Sequence, residues 1–308
     1  GEQEGGSCLI LGGTHANELG GHMGAVLFVE NAKVEAGTLY VIPRTNNSAF
    51  THNDPQEGHP STVHITTDEG NVREFIHGSR ATNPVDQWPD PDVYVNYMGQ
   101  SLSGSENRNI NRTYPGKADG TLTEMMSYGI VQLINTENID VTVDLHEASP
   151  EYPVINALIA HERAMNLASN VVVDMQMEGV QISLEPSPTD LRGLTHRELG
   201  DHTDTLALLM EAPNPAQGRL RDRTDEALVL TGKSETYVKA GEIGQLYVPY
   251  DENGWPIEVR CARHVFGIER ILANYSEMYE EPIIVTGMPS YDELVKNGMG
   301  PYLNEPTT

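Results

Sequence analysis

Four short apolar runs, each closing in glycine, proline or a polar residue, constrain the fold of this chain more than any other feature. Cys8-Leu9-Ile10-Leu11 stops at Gly12-Gly13, and Leu39 to Ile42 stops at Pro43. Ile139 to Leu145 alternates apolar and polar residues, the pattern of a half-buried strand. Leu206 to Met210 runs into Glu211 and Pro213. Runs of this length and punctuation predict strands. Between them the period changes. Leu122, Met125, Met126, Gly129, Ile130 and Leu133 form one face of a helix that Thr121 can cap. Ala160 to Met177 and Val265 to Met278 also read as helices. Strands alternating with helices predict an α/β fold in three α/β/α layers, with a central sheet covered on both faces.

The 308 residues suffice for a sizeable core and are read as one catalytic domain, 1–308, with a C-terminal extension from about residue 215. From Arg44 to about Gly120 periodicity fades into Asn, Pro, Gly, Ser and His, which predicts a large loop region, functional or disordered. The formal charge of −26 repels phosphate backbones and anionic lipid headgroups, so nucleic acid and membrane surfaces are poor partners. A halophilic habit would give the same balance. No run approaches the ~18 apolar residues of a membrane span. Cys8 and Cys261 are too few for a disulfide framework or a Cys-rich zinc site, and Cys8 reads as a small buried core residue. The chain opens on Gly1, so localisation stays open between the cytoplasm and export with an N-terminal segment removed.

The chemistry concentrates at the ends of the predicted strands. His15 and Glu18 stand three apart just after Gly12-Gly13, where imidazole and carboxylate can converge on one point. Alone, a His-x-x-Glu is equally a surface pair. His146 follows a second predicted strand, and open α/β sheets form their sites outside the carboxyl ends of strands. Two nitrogens and one carboxylate make a suitable zinc donor set that leaves a fourth position for water. Asp144, two residues earlier and on the same side of the strand, can orient the His146 ring or simply cap a turn. Glu211 follows the fourth run, where partial desolvation raises a carboxylate's proton affinity toward that of a general base.

Asn107 to Gly116 carries Arg108, Asn111 and Arg112, and Arg219, Arg221 and Arg223 follow Glu211. In so acidic a chain these arginines point to an anionic substrate group, or else to ion pairs with the abundant Asp and Glu. A rival metal site, His196 with Glu198 and His202, would form only in a loop, because on a helix residues two apart diverge. His196 could still line a pocket. His22 reads as a packing or capping residue.

His15-x-x-Glu18, Asn111-Arg112 with Tyr114-Pro115-Gly116, Asp144-Leu145-His146 and Glu211 resemble, in order and separation, the zinc carboxypeptidase superfamily, within it the succinylglutamate desuccinylase/aspartoacylase branch. The resemblance spans about residues 8–215. It implies a mostly mixed sheet, one Zn²⁺ on His15, Glu18 and His146, and Glu211 as general base and acid. It also implies Asn111 and Arg112 as a carboxylate clamp, and an upstream arginine polarising the scissile carbonyl. Arg108 is nearest in sequence, with Arg44 and Arg80 as alternatives. The activity so implied is zinc-dependent hydrolysis of an amide next to a carboxylate, as in an N-acyl amino acid deacylase. The alternatives are a carboxypeptidase acting on peptide C-termini and, in another class, a non-catalytic carboxylate- or metal-binding module.

Overall fold

The computed structural model describes residues 1–54 and 60–306. In chain order the strands are β1 (Gln3–Leu11), β2 (Lys33–Ile42), β3 (Thr62–Thr66), β4 (Val72–Ile76), β5 (Val93–Val95), β6 (Ser101–Ser103), β7 (Val141–Ala148), β8 (Ala157–Ala160), β9 (Ser183–Pro186), β10 (Leu206–Pro213) and β11 (Ile284–Thr286). The helices are α1 (Leu19–Asn31), α2 (Leu122–Glu137), α3 (Met165–Met177), α4 (Thr195–His202), α5 (Glu226–Thr231), α6 (Glu235–Glu242), α7 (Ile257–Tyr279) and α8 (Tyr291–Asn297).

Seven strands form the central sheet in the order β11-β2-β1-β7-β10-β8-β9. The four inner strands β2, β1, β7 and β10 are parallel, and β11 and β8 run antiparallel to their inner neighbours. The fold is therefore α/β with a mixed sheet flanked by helices, as the strand–helix alternation predicts. One face carries Cys8, Ile10, Val143, Leu145, Leu208 and Met210, packed with α1, α3 and α7 into the larger core. The other face carries Leu9, Leu11 and Ala207 against Ile130, Val131 and Ile134 of α2 and Leu199 of α4. Each such fully buried aliphatic side chain contributes about 1.5–3 kcal/mol relative to exposure. Cys8 lies in this core, where burial pushes its thiol up to about 12.

Three expectations change. Val141–Ala148 is buried on both faces, not half-buried, because β7 lies mid-sheet between two helical layers. Its polar positions are satisfied internally: Thr142 Oγ1 lies 3.0 Å from Thr205 Oγ1, and Asp144 is bonded as described below. The stretch predicted as one helix from Ala160 to Met177 has its helix only from Met165, with β8 ending at Ala160 and a short 3₁₀ turn between. The Arg44–Gly120 region holds two small hairpins, β3–β4, which reaches along α1 to Glu30, and β5–β6, together with 3₁₀ turns that bring Asn109 to His15. Within the C-terminal third, α7 packs against α1, α3 and β10, and its Arg260 is fully buried. α2 starts as expected at Thr121, with a reciprocal capping box to Glu124 worth about 1 kcal/mol.

Candidate metal centre and active-site cavity

Backbone geometry at the end of β1 creates the centre. Gly13 takes a φ of +62°, and a Cβ there would stand 2.7 Å from the Phe50 ring and 2.8 Å from the Pro43 carbonyl. The chain thus leaves the strand in a tight turn that delivers His15 and Glu18 before α1 begins. α1 itself comes close to β7, since a Cβ at Gly21 would lie 2.3 Å from the Leu145 carbonyl oxygen. That contact sets Glu18 opposite the end of β7, which continues past His146 to Ala148.

His15, Glu18 and His146 are all buried, with one donor atom from each lying within 4.8 Å of the others. His15 Nδ1 is 2.7 Å from Glu18 Oε1 and His146 Nδ1 is 2.9 Å from Glu18 Oε2. The rings meet edge to face at 82°. The far nitrogen of each ring is fixed by a different acceptor. His146 Nε2 lies 2.8 Å from Asp144 Oδ2, whose other oxygen accepts from Thr14 Oγ1 at 2.7 Å. His15 Nε2 lies 2.9 Å from Asn109 Oδ1. The orientation of that amide follows from its other bonds: Oδ1 accepts from the Asn111 N–H, and Nδ2 donates to Glu106. Both rings therefore donate from Nε2 and turn an Nδ1 lone pair toward the same carboxylate. Lone pairs facing a carboxylate at this range call for a cation between them, and an N,N,O donor set suits zinc.

The same contacts set the proton affinities of the cluster. Burial opposes charge on His146, but the Asp144 and Glu18 carboxylates outweigh it and hold the imidazole well above its ordinary value. Burial would raise Glu18, yet His15 and His146 keep it well below the carboxylate range. His15 is lowered to about 4, by burial and then by the Arg80 charge.

Behind the centre, the Glu147 N–H donates to Glu18 Oε2 at 3.1 Å. The Glu147 side chain accepts from the Gly20 N–H, Asn214 Nδ2 and Arg260 Nη1 at 3.0, 3.0 and 2.9 Å. A buried carboxylate thus ties β7, the first turn of α1 and α7 together behind the ligands.

In front lies a cavity of about 410 Å³, within the usual range for small-molecule sites. His15, Glu18, His146, Glu211, Asn111 and Arg112 all line it. Glu211 pairs in register with His146 on the neighbouring strand, so both side chains leave the same sheet face. Its Oε2 is buried without a hydrogen-bond partner among the described residues, and burial pushes the carboxyl up to about 8. Asn111 Oδ1 accepts from the Thr195 N–H and hydroxyl at 2.8 and 3.0 Å, so Nδ2 is the end left for a ligand. Arg112 is steadied by the Asn111 carbonyl at 2.7 Å, with Nε 3.7 Å from Glu106.

Arg108 does not line this cavity. Its guanidinium forks Asp90 at 2.7 and 2.9 Å and donates to the Thr82 carbonyl, fastening the loop region together. The arginine that lines the cavity is Arg80, with Nη1 3.3 Å from both His15 Nδ1 and Glu18 Oε1. Arg44 stacks on Phe50 instead. Arg219, Arg221 and Arg223 also lie outside the lining, and the Arg219 N–H and Arg221 guanidinium serve local contacts to Glu151, Gly218 and Thr224. The rival metal site fails because its residues lie on α4: Glu198 is held by Arg192 and Gly193, while His196 turns to Ser187 and the cavity. His22 bonds the Pro43 carbonyl and packs on Phe50, as a packing residue does. Sequence reasoning passed over Asn109 as a ring-orienting partner, although it lies beside Asn111; only its contact across the fold marks it.

No protein-family model and no curated protein matches the sequence. Solved structures do match in fold. Product-bound cell shape determinant protein Csd4 from Helicobacter pylori aligns at 14% identity and TM-score 0.51, over 94% of this chain and 55% of that one. The mDAP-bound form of Csd4, described as a D,L-carboxypeptidase, aligns at 14% and 0.50, over 95% and 56%. A succinylglutamate desuccinylase from Silicibacter aligns at 15% and 0.48, over 94% and 60%. The chain thus spans little more than half the length of the Csd4 chains. It shares the zinc carboxypeptidase-like fold, in line with the resemblance read from its motifs.

Proposed function

We propose that this chain is a zinc-dependent hydrolase of an amide adjacent to a carboxylate, acting on N-acyl amino acids. One observation supports the reading most: a buried, unpartnered carboxylate oxygen of Glu211 stands beside the His15, Glu18 and His146 donor set, in a cavity with two arginines. A binding module has no use for a base at that position.

Zinc on His15, Glu18 and His146 would supply a Lewis acid and bring the pKa of a water toward 7. Glu211 takes the proton from the attacking water and later delivers it to the departing nitrogen. Its burial suits both halves of that task, since a carboxyl held near neutrality can accept and release a proton at similar cost. Arg80, at the rim of the donor set, donates to the carbonyl oxygen as negative charge develops there. Arg112 and the Asn111 amide grip the substrate carboxylate and fix the amide relative to Glu211. Asp144 and Asn109 hold the two rings in the required tautomer. Residues 1–308 act here as one catalytic unit, with α7 supporting the centre through Arg260 and Glu147.

Metal analysis followed by a panel of N-acyl amino acids and blocked dipeptides tests the proposal. Glu211→Gln should keep the bound zinc and lower kcat by about 10²–10⁴-fold. Near-normal turnover by that variant would remove Glu211 from the mechanism. The fold shared with Csd4 keeps a second reading in view, a carboxypeptidase acting on peptide C-termini. Cleavage of the dipeptides alone would favour it.

A further inference from the structure

The floor of the cavity continues beyond the proposed chemistry. Asp144 on β7, Leu209 on β10, Ile159 on β8 and Glu185 on β9 are register partners in one row across four strands. Directly paired residues project from the same sheet face, so these four side chains lie side by side on the face that carries His146 and Glu211. Leu209 and Ile159 pack with Val154 into a small apolar cluster. Leu209, Ile159 and Glu185 all line the cavity. With strands spaced about 4.8 Å apart, Glu185 stands two strands, roughly 10 Å, from the strand of Glu211.

Glu185 is the one member of this row for which the fold supplies no partner. Among the described residues its carboxylate makes no ion pair or side-chain hydrogen bond. Of the cavity's arginines, Arg80 lies against His15 and Glu18, and Arg112 feels the charges of Arg80, Glu106 and Glu18. The nearby cavity residue His196 bonds Ser187 and is kept neutral, lowered to about 3 chiefly by burial. A half-buried carboxylate at the end of an apolar strip, facing a ligand cavity, favours a cation there and rejects a second anion.

The direction of the strip decides which part of a substrate meets it. Glu211 must reach the departing nitrogen, and Leu209 lies two residues before Glu211 on the same face. The strip therefore starts beneath the leaving amine and runs away from the metal ligands. We infer that Glu185 is a specificity residue that binds the cationic side-chain terminus of the leaving amino acid, so that the preferred substrates are amides of ammonium- or guanidinium-bearing amino acids whose methylenes cross Leu209 and Ile159. This rests on the hydrolase reading above for the roles of Glu211 and Arg112.

Two measurements test it separately from that reading. In the first, calorimetric titration of the zinc-loaded protein compares free lysine and ornithine with norleucine and glutamate. At least one cationic amino acid should bind tenfold or more tightly than norleucine, and Glu185→Gln should abolish that preference while leaving norleucine binding unchanged. In the second, kcat/KM is compared for the Nα-acetyl derivatives of the same amino acids, with the same tenfold preference and the same loss expected in Glu185→Gln. Equal binding of lysine, ornithine and norleucine, or a preference that survives Glu185→Gln, overturns the assignment. Cleavage of the amides with no preference for a cation overturns it and leaves the hydrolase reading standing. Glu185-dependent binding of a cationic amino acid with no amide cleaved upholds the subsite and overturns the hydrolase reading alone.

Discussion

At the scale of single residues, the decisive fact is the direction in which two imidazoles are turned. His15 and His146 each donate from Nε2 to a fixed acceptor, which leaves both Nδ1 lone pairs for the Glu18 carboxylate side. Asp144 can accept from both His146 and Thr14 because a carboxylate is acceptor-only. An amide cannot do so with both atoms. Asp144→Asn should therefore weaken zinc binding by about 10–100-fold, measured by competition with a chromophoric chelator. Unchanged affinity would show that the ring needs no such partner. The cluster of His15, Glu18 and His146 was readable because spacing and strand ends are local: three residues separate His15 from Glu18, and His146 follows an apolar run. The choice of Arg80 among the three candidate arginines and the part of Asn109 were not readable, since both meet His15 across sequence separations of 65 and 94. Proximity in sequence favoured Arg108, but a bidentate carboxylate of Asp90 captures that guanidinium away from the cavity.

At the scale of elements, α7 has a role that hydrophobic periodicity alone did not indicate. A helix was expected from Val265 to Met278, and the observed helix begins earlier, at Ile257, to bring Arg260 and His264 under the centre. His264 is fully buried, and among the described residues neither ring nitrogen has a hydrogen-bond partner. Burial, and then the positive charge of Arg263, lowers it from 6.5 to about 3. The folded state thus keeps His264 neutral where the unfolded chain would take up a proton. Its contribution to stability is intact above pH 6.5 and is lost as the pH falls toward the folded value. Relative to His264→Leu, the wild-type protein should lose about 2 kcal/mol of unfolding free energy between pH 7.5 and pH 5. Urea titrations of both proteins at the two pH values measure this difference, and parallel pH profiles would contradict it. The misread segment Ala160–Met177 has a related cause. Ala157–Ala160 is too short and too uniformly apolar to separate strand from helix by period, and pairing with β10 and β9 decides the matter.

At the scale of the whole molecule, the two cores on either side of the sheet are built of apolar side chains and include none of His15, Glu18 and His146. Chelation should therefore leave the far-UV circular dichroism intact while lowering the Tm. Restored zinc at a thousandfold excess over its Kd adds about 4 kcal/mol of stability. A Tm indifferent to both treatments would mean that the donor set does not hold zinc, and unfolding on chelation would mean that the cores depend on it. The sequence by itself determined the α/β class, the four inner strands, the capped helix α2 and the placing of His15, Glu18, His146 and Glu211 at strand ends. These follow from periodicity, turn residues and short spacings, which a linear chain records directly. Only the tertiary structure decided that Arg80 replaces Arg108 at the cavity, that Asn109 fixes a ring, and that Glu185 shares a row with Asp144. Those relations depend on strand order and loop closure, and residues brought together by pairing across a sheet leave no periodic trace along the chain.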